Sequence, residues 1–190
     1  MLRIAAITAS TAVVVSGLLL VIGLATAPRT DSYCVAEPQT FPASGVSGWE
    51  GEQLENAAVI IRTAEQQGFA RDGQIIGVMA AMGESSLRNI DYGDWETSGI
   101  TNPDGTRTSS IGLFQQQAWW GTAEERMDPA TSAGKFFARL ARIHGWQQLE
   151  PSHAINRVQV NADREHYARF ADDAALVVDA LSGECRTPTP

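Results

Sequence analysis

Lysine is almost absent: Lys135 is the only one in 190 residues, and no run of Lys or Arg stands out. With 14 Lys and Arg against 22 Asp and Glu, the formal net charge is −8. That excludes a nucleic-acid partner, because phosphate binding needs a positive surface. A polyanionic substrate would gain nothing from charge either, so recognition has to come from a shaped cleft. Histidine is scarce as well. His144, His153 and His166 are scattered without ligand spacing, and neither Cys34 nor Cys185 has a His or Cys beside it. No metal site and no cofactor are expected. Internal repeats and low-complexity segments are missing too.

Charge is also missing from the start of the chain, where Arg3 stands alone before Arg29. Ile4 to Ala27 is an uncharged, mostly apolar stretch of 24 residues. As a helix it would span ~36 Å at ~1.5 Å per residue, against a hydrocarbon core of ~30 Å. Residues 1–30 therefore read as a transmembrane anchor or a signal peptide. Ala25-Thr26-Ala27 resembles a small-residue cleavage site, and Pro28 after it disfavours cutting. Either way the rest of the chain is expected outside the cytoplasmic membrane, anchored or secreted. In that oxidising setting Cys34 and Cys185 read as one disulfide joining the two ends of the domain. Closing so long a loop stabilises by up to ~5 kcal/mol in the chain-entropy description. Two unpaired thiols are the alternative.

Hydrophobic residues make up 44% of the chain, enough for one packed domain. Residues 31–49, rich in Pro, Ser, Gly and Thr, read as a linker or strap. The domain is expected over 50–185, and 186–190 as a disordered tail. Leu54, Ala57, Ala58, Ile61 and Ala64 recur at helical steps, and Gly68 closes that helix. Asp72 is placed to cap a second helix that is apolar almost all round, as a central helix is. Residues 89–110 change to turn residues and a small hairpin. Asp128-Pro129 is a helix start, with Phe136, Phe137, Leu140 and Ile143 as the buried face and Gly145 as the stop. Two more helices follow, near Ser152–Ala162 and Tyr167–Leu181. The expected class is α+β, predominantly α-helical, with a small turn and hairpin region lining a cleft.

Glu84 ends the apolar helix. Burial there raises a carboxyl pKa, and so does the negative end of a helix. A Glu that keeps its proton near neutral pH is what a glycosidic general acid has to be. A glycosidase adds a second carboxylate, and Asp91, Asp94, Glu96 and Asp104 all follow on the turn-rich segment, with Asp94 foremost. Trp95, Trp119 and Trp120 offer flat faces for sugar rings, or ordinary packing. Trp49 and Trp146 read as structural.

Glu84-Ser85 with Leu87-Arg88-Asn89, then Tyr92-Gly93-Asp94, Ser110-Ile111-Gly112-Leu113-Phe114-Gln115-Gln116, Trp120-Gly121 and Asp128-Pro129 follow in order. The set resembles the lysozyme-like lytic transglycosylase family. It resembles in particular the form common in exported actinobacterial wall hydrolases and mobile-element proteins. The resemblance covers roughly residues 54–178. It implies a lysozyme-like fold that cleaves the β-1,4 bond between N-acetylmuramic acid and N-acetylglucosamine, as a lytic transglycosylase or a muramidase. Glu84 would act as acid and then base, and Ser110 and Gln115 would hold sugar groups in the cleft. Read from the residues themselves, Asp94 is the first candidate for the second carboxylate a muramidase needs, and one of Trp119 and Trp120 is a candidate for lining the cleft. The partners implied are peptidoglycan glycan strands, the cytoplasmic membrane through the N-terminal segment, and an envelope, conjugation or secretion complex. A non-catalytic glycan-binding or docking module on the same fold is the rival reading. One element of the wider family is missing: the Ala-Tyr-Asn segment whose Tyr supports the acid has only a loose echo in Asn161-Ala162-Asp163. The turn region between Asp94 and Ser109 is also long.

Overall fold

The computed structural model describes residues 33–184. The expected membrane segment 1–30 and the tail 186–190 lie outside the described residues. So does Cys185, and with it the expected disulfide to Cys34. Among the described residues no helix is long and apolar enough to cross a membrane.

The fold is predominantly helical. Its axle is α2 (Arg71–Ser85), against which α1 (Glu52–Gln66), α5 (Pro129–Leu140), α6 (Pro151–Gln159) and α7 (Ala171–Leu181) pack. Ile76, Val78, Met79, Ala80, Ala81 and Met82 of α2 are all buried, which is why its sequence carries apolar residues round its circumference. Each Leu, Ile or Phe removed from water in this layer contributes about 1.5–3 kcal/mol. Gly77 lets α5 approach closely, since a Cβ there would lie 2.4 Å from Cζ of Phe137. Phe136 stacks on Phe114 at a centroid separation of 5.0 Å, and Phe137 packs at a tilt of 40° on Phe69 at 4.9 Å.

The helix ends refine the sequence reading. Asp72 is not the cap of α2: the helix begins at Arg71 with Ala70 as N-cap, and Asp72 sits in the first turn. There its charge still complements the helix dipole. Asp128 does cap α5, its carboxylate accepting the Thr131 N–H at 2.8 Å, with Pro129 in the first turn. The expected helix from Ser152 to Ala162 stops at Gln159, because Val160 turns left-handed at φ 59°. The one expected from Tyr167 divides into a 3-10 turn, Ala168–Phe170, and α7. Tyr167 is thereby left outside the α-helix.

Strand is minor. β1 (Tyr33–Val35) pairs antiparallel with β2 (Ser182–Glu184), Cys34 in register with Gly183. Residues 36–49 then cross the helical layer as a strap. Val35, Phe41, Val46 and Trp49 pack on the core, and the Trp49 indole donates to Asp173 of α7 at 3.4 Å.

In the middle of the chain a short helix, α3 (Asp94–Ser98), stands where only turns were expected. The expected hairpin follows it, closed by the Thr101–Arg107 bridge. Next come the 3-10 turn Ala118–Trp120 and α4 (Ala123–Met127).

Candidate active site

Glu84 lies one residue from the C-terminal end of α2, with Ser86 and Leu87 next, both left-handed at φ 55° and 57°. Two consecutive non-glycine residues there cost about 1–3 kcal/mol each unless the surroundings hold them. α1 supplies the hold: Gln53 donates its amide to the Ser86 carbonyl and Asn56 to the Leu87 carbonyl, both at 2.8 Å. The chain turns sharply after the helix, and Glu84 is left partly buried at its end.

The Tyr167 hydroxyl donates to Oε1 of Glu84. Its ring is fully buried and lies close against Gly83, where a Cβ would come within 2.5 Å of it. Gly83 therefore permits the tyrosine to reach the carboxyl. Burial pushes the Glu84 carboxyl up, the Tyr167 bond pulls it down, the charge of Asp94 pushes it up and the Gln159 amide pulls it down. Burial wins, and the carboxyl is raised to about 7. Tyr167 is pushed well above its ordinary value by its own burial and by Glu84, against a smaller lowering from Asn161. It stays a neutral donor at any working pH.

Three separated sequence pieces meet beside this carboxyl. Ser85 donates its hydroxyl to the Leu113 carbonyl at 2.8 Å, and Gln159 donates to the Phe114 carbonyl at 2.7 Å. The first ties the turn at 111–116 to the end of α2 and the second ties it to the end of α6. That turn needs Gly112 (φ 78°), where a Cβ would lie 2.1 Å from the Arg126 carbonyl oxygen. Gln115, itself at φ 43°, donates its amide to the Tyr92 and Gly112 carbonyls, each at 3.2 Å. A Cβ on Gly93 would strike the Ser110 carbonyl at 2.4 Å and Oε1 of Gln115 at 2.5 Å. Tyr92-Gly93-Asp94 is thus laid against Ser110 and Gln115. Ser110 is buried and Gln115 half-buried.

Of the four acidic residues after Glu84, Asp94 is exposed at the start of α3 and is the one whose charge reaches Glu84. Glu96 accepts the Gly93 N–H at 3.0 Å, a capping role. Asp104 accepts from Thr106 twice, at 2.6 and 3.0 Å, which holds its carboxyl below the ordinary range. The tryptophans divide. Trp119 is 64% exposed, whereas Trp120 is buried with the Arg139 guanidinium 3.4 Å over its ring. Trp120 is corrected from sugar platform to packing residue, since its face is covered. The Arg107 guanidinium lies 4.5 Å over Trp95.

Two residues escaped the sequence reading. Tyr167 carries no local signal beyond the start of a helix, although it is the only tyrosine after Tyr92. Arg126 is buried and donates to the carbonyls of Ser109, Gln116, Gly121 and Thr122 at 2.6–3.3 Å. It holds the 109–122 backbone together from beneath. Among the described residues no group of three or more His, Cys, Asp or Glu is gathered as a metal site would be.

No family model matches the chain, and no curated protein matches it. A carboxyl raised to about 7 and fixed by a neutral tyrosine can donate a proton near neutral pH and take one back.

Proposed function

We propose that the chain is a lysozyme-like enzyme that cleaves the β-1,4 bond between N-acetylmuramic acid and N-acetylglucosamine in peptidoglycan. Glu84 is its general acid and then its base. The observation that carries this is the Glu84–Tyr167 pair, set where the Glu84, Tyr92–Asp94 and Ser110–Gln115 segments meet.

Protonated Glu84 gives its proton to the glycosidic oxygen, which is a poor leaving group without it. The Tyr167 and Gln159 bonds stabilise the carboxylate that remains. That carboxylate then removes a proton from the attacking hydroxyl. If the hydroxyl is the muramyl sugar's own, an anhydro ring closes and the enzyme is a lytic transglycosylase. If it is water, the enzyme is a muramidase, and Asp94 is the second carboxylate. Ser110 and Gln115 line the sugar path. The N-terminal segment places the domain outside the cytoplasmic membrane, within reach of the wall and of an envelope, conjugation or secretion complex.

The test is a digest of purified peptidoglycan by the full-length chain beside Glu84→Gln, with fragments read by mass spectrometry. Fragment yield is expected to fall about 10²–10⁴-fold in the variant, the usual worth of a general acid. Anhydro-muramyl ends identify a lytic transglycosylase and reducing ends a muramidase. Absence of fragments from every wall type tried with the unaltered chain refutes the reading.

A further inference from the structure

The strap ends in a tight turn at 46–49. Ser47 and Gly48 lie there in the left-handed region at φ 52° and 85°, between two backbone bonds of 2.9 Å that Val46 and Trp49 exchange. Glycine adopts that conformation freely, whereas serine needs a partner to hold it. The partner is Asp173, in the first turn of α7. The Ser47 hydroxyl donates to its Oδ1 and the Trp49 indole N–H to its Oδ2, the second at 3.4 Å. One carboxylate therefore clasps the end of the strap.

The indole passes this constraint on. It meets Phe170 edge to face, at a centroid separation of 6.4 Å and an angle of 63°, while the Arg169 guanidinium lies 4.7 Å over the Phe170 ring. Phe170 in turn lies against α2. A Cβ on Gly83 would be 3.5 Å from its Cε2 and 2.5 Å from Cδ1 of Tyr167. The Phe170 N–H also donates to the Tyr167 carbonyl at 3.0 Å. Phe170 and Tyr167 thus share one small site, opened by Gly83, beside the acid. Close packing transmits a displacement instead of absorbing it. Without the indole at the edge of Phe170, the 167–170 turn is free to shift off Gly83, and a misplacement of ~1 Å can cost ~10²-fold in rate.

We infer that Trp49, clasped by Asp173, is a positioning residue: it holds Phe170 on Gly83 and so keeps the Tyr167 hydroxyl on Glu84. The strap is then part of the support of the acid, not a linker to it. That catalysis depends on this support rests on the glycan-cleaving reading above; the chain of contacts does not.

The test is a titration of the Glu84 carboxyl by carbon-13 NMR, in the full-length chain labelled at glutamate Cδ. The Glu84 signal is the one missing from Glu84→Gln. The Tyr167 bond lowers the midpoint, so loosening it raises the midpoint above about 7. Trp49→Ala and Asp173→Ala are each expected to raise it by up to about one unit, and Trp49→Phe, which keeps a ring against Phe170, by less. Losing the Asp173 charge alone would only lower the midpoint, so a rise marks the Tyr167 bond. Neither variant adds anything in a Tyr167→Phe background. Trp146→Ala removes a tryptophan packed elsewhere, 5.5 Å from Phe69, and leaves the midpoint in place. Asp94 from α3, the Gln159 amide from α6 and His166, 3.2 Å from the Gly83 carbonyl, also face this end of α2 and are the same in every chain compared. A midpoint unmoved or lowered in both Trp49→Ala and Asp173→Ala overturns the inference, as does a rise that persists undiminished with Tyr167→Phe. If Trp49→Ala fails to fold, Asp173→Ala decides by the same criterion. The titration needs no substrate. The expected rise without any peptidoglycan fragments would sink the cleavage reading and keep the positioning role. Fragments from a chain whose midpoint ignores Trp49 and Asp173 would do the reverse.

Discussion

The helical layer and the segment from residue 89 to 121 are held by opposite means. In the layer, apolar side chains at helical steps fill the space between α1, α2, α5 and α7, and the holding force is non-directional burial. Across 89–121 there is little regular structure. The backbone there follows left-handed turns at Gly112 and Gln115, and its carbonyls are bound by Arg126, Gln115 and Ser85. The layer tolerates changes that keep volume and polarity, whereas a directional network fails when one member is lost. Glu84 sits on the seam. Its position and its Tyr167 bond come from the helical side, and the Asp94 charge and the turn held by Ser85 come from the network, so the proposed chemistry depends on both while stability rests mainly on the first.

That contrast is open to attack, beginning with the largest effect. Leu140→Ala empties a fully buried site on α5 and is expected to cost about 2–5 kcal/mol by urea unfolding. Activity per folded molecule should not change. Arg126→Met leaves several carbonyls without donors, at about 1–3 kcal/mol for a buried group so orphaned. Here activity per folded molecule should drop more steeply than stability. If the two variants lose activity in equal proportion to stability, the two regions do not differ as described.

Glu84→Gln tests the seam. The folded chain keeps the Glu84 proton up to about pH 7, whereas an unfolded carboxyl releases it near the ordinary value of 4.5. Between those values the folded state binds the extra proton, so rising pH costs stability across that window, and the cost stays constant above it. Removing the carboxyl at pH 8 is therefore expected to stabilise, by at most about 3.5 kcal/mol at ~1.4 kcal/mol per pKa unit. At pH 4 the gain should vanish. A gain independent of pH would contradict the assignment.

A finer test uses two variants of opposite sign. Tyr167→Phe removes a bond that lowers the Glu84 pKa, and Asp94→Asn removes a charge that raises it. The alkaline limb of the pH–activity profile, expected near pH 7, should move up in the first and down in the second, each by about one unit or less. Asp94→Asn that abolishes turnover at every pH would instead mark Asp94 as a participant. The smallest effect belongs to the layer's edge: Asp128→Ala removes the α5 cap and should lower stability by about 1 kcal/mol in thermal melts, with the pH profile untouched.

The helices of the layer are legible in the sequence, because a repeating apolar pattern and an N-cap such as Asp128-Pro129 are local signals. The sequence also implied that Glu84 would end a buried helix and carry a raised pKa, since both follow from the apolar run before it. It did not yield α3, whose Gly93–Glu96 capping contact is short and lacks an apolar period. Nor did it separate Trp119 from Trp120: adjacent residues look alike until Arg139, nineteen or so positions on, covers one of them. Tyr167 and Arg126 were decided only by tertiary structure. Tyr167 meets Glu84 across 83 residues, and Arg126 binds carbonyls up to 17 residues away. Hydrogen bonds between distant positions leave no periodic trace in a chain. They exist only once the helical layer has brought their partners together.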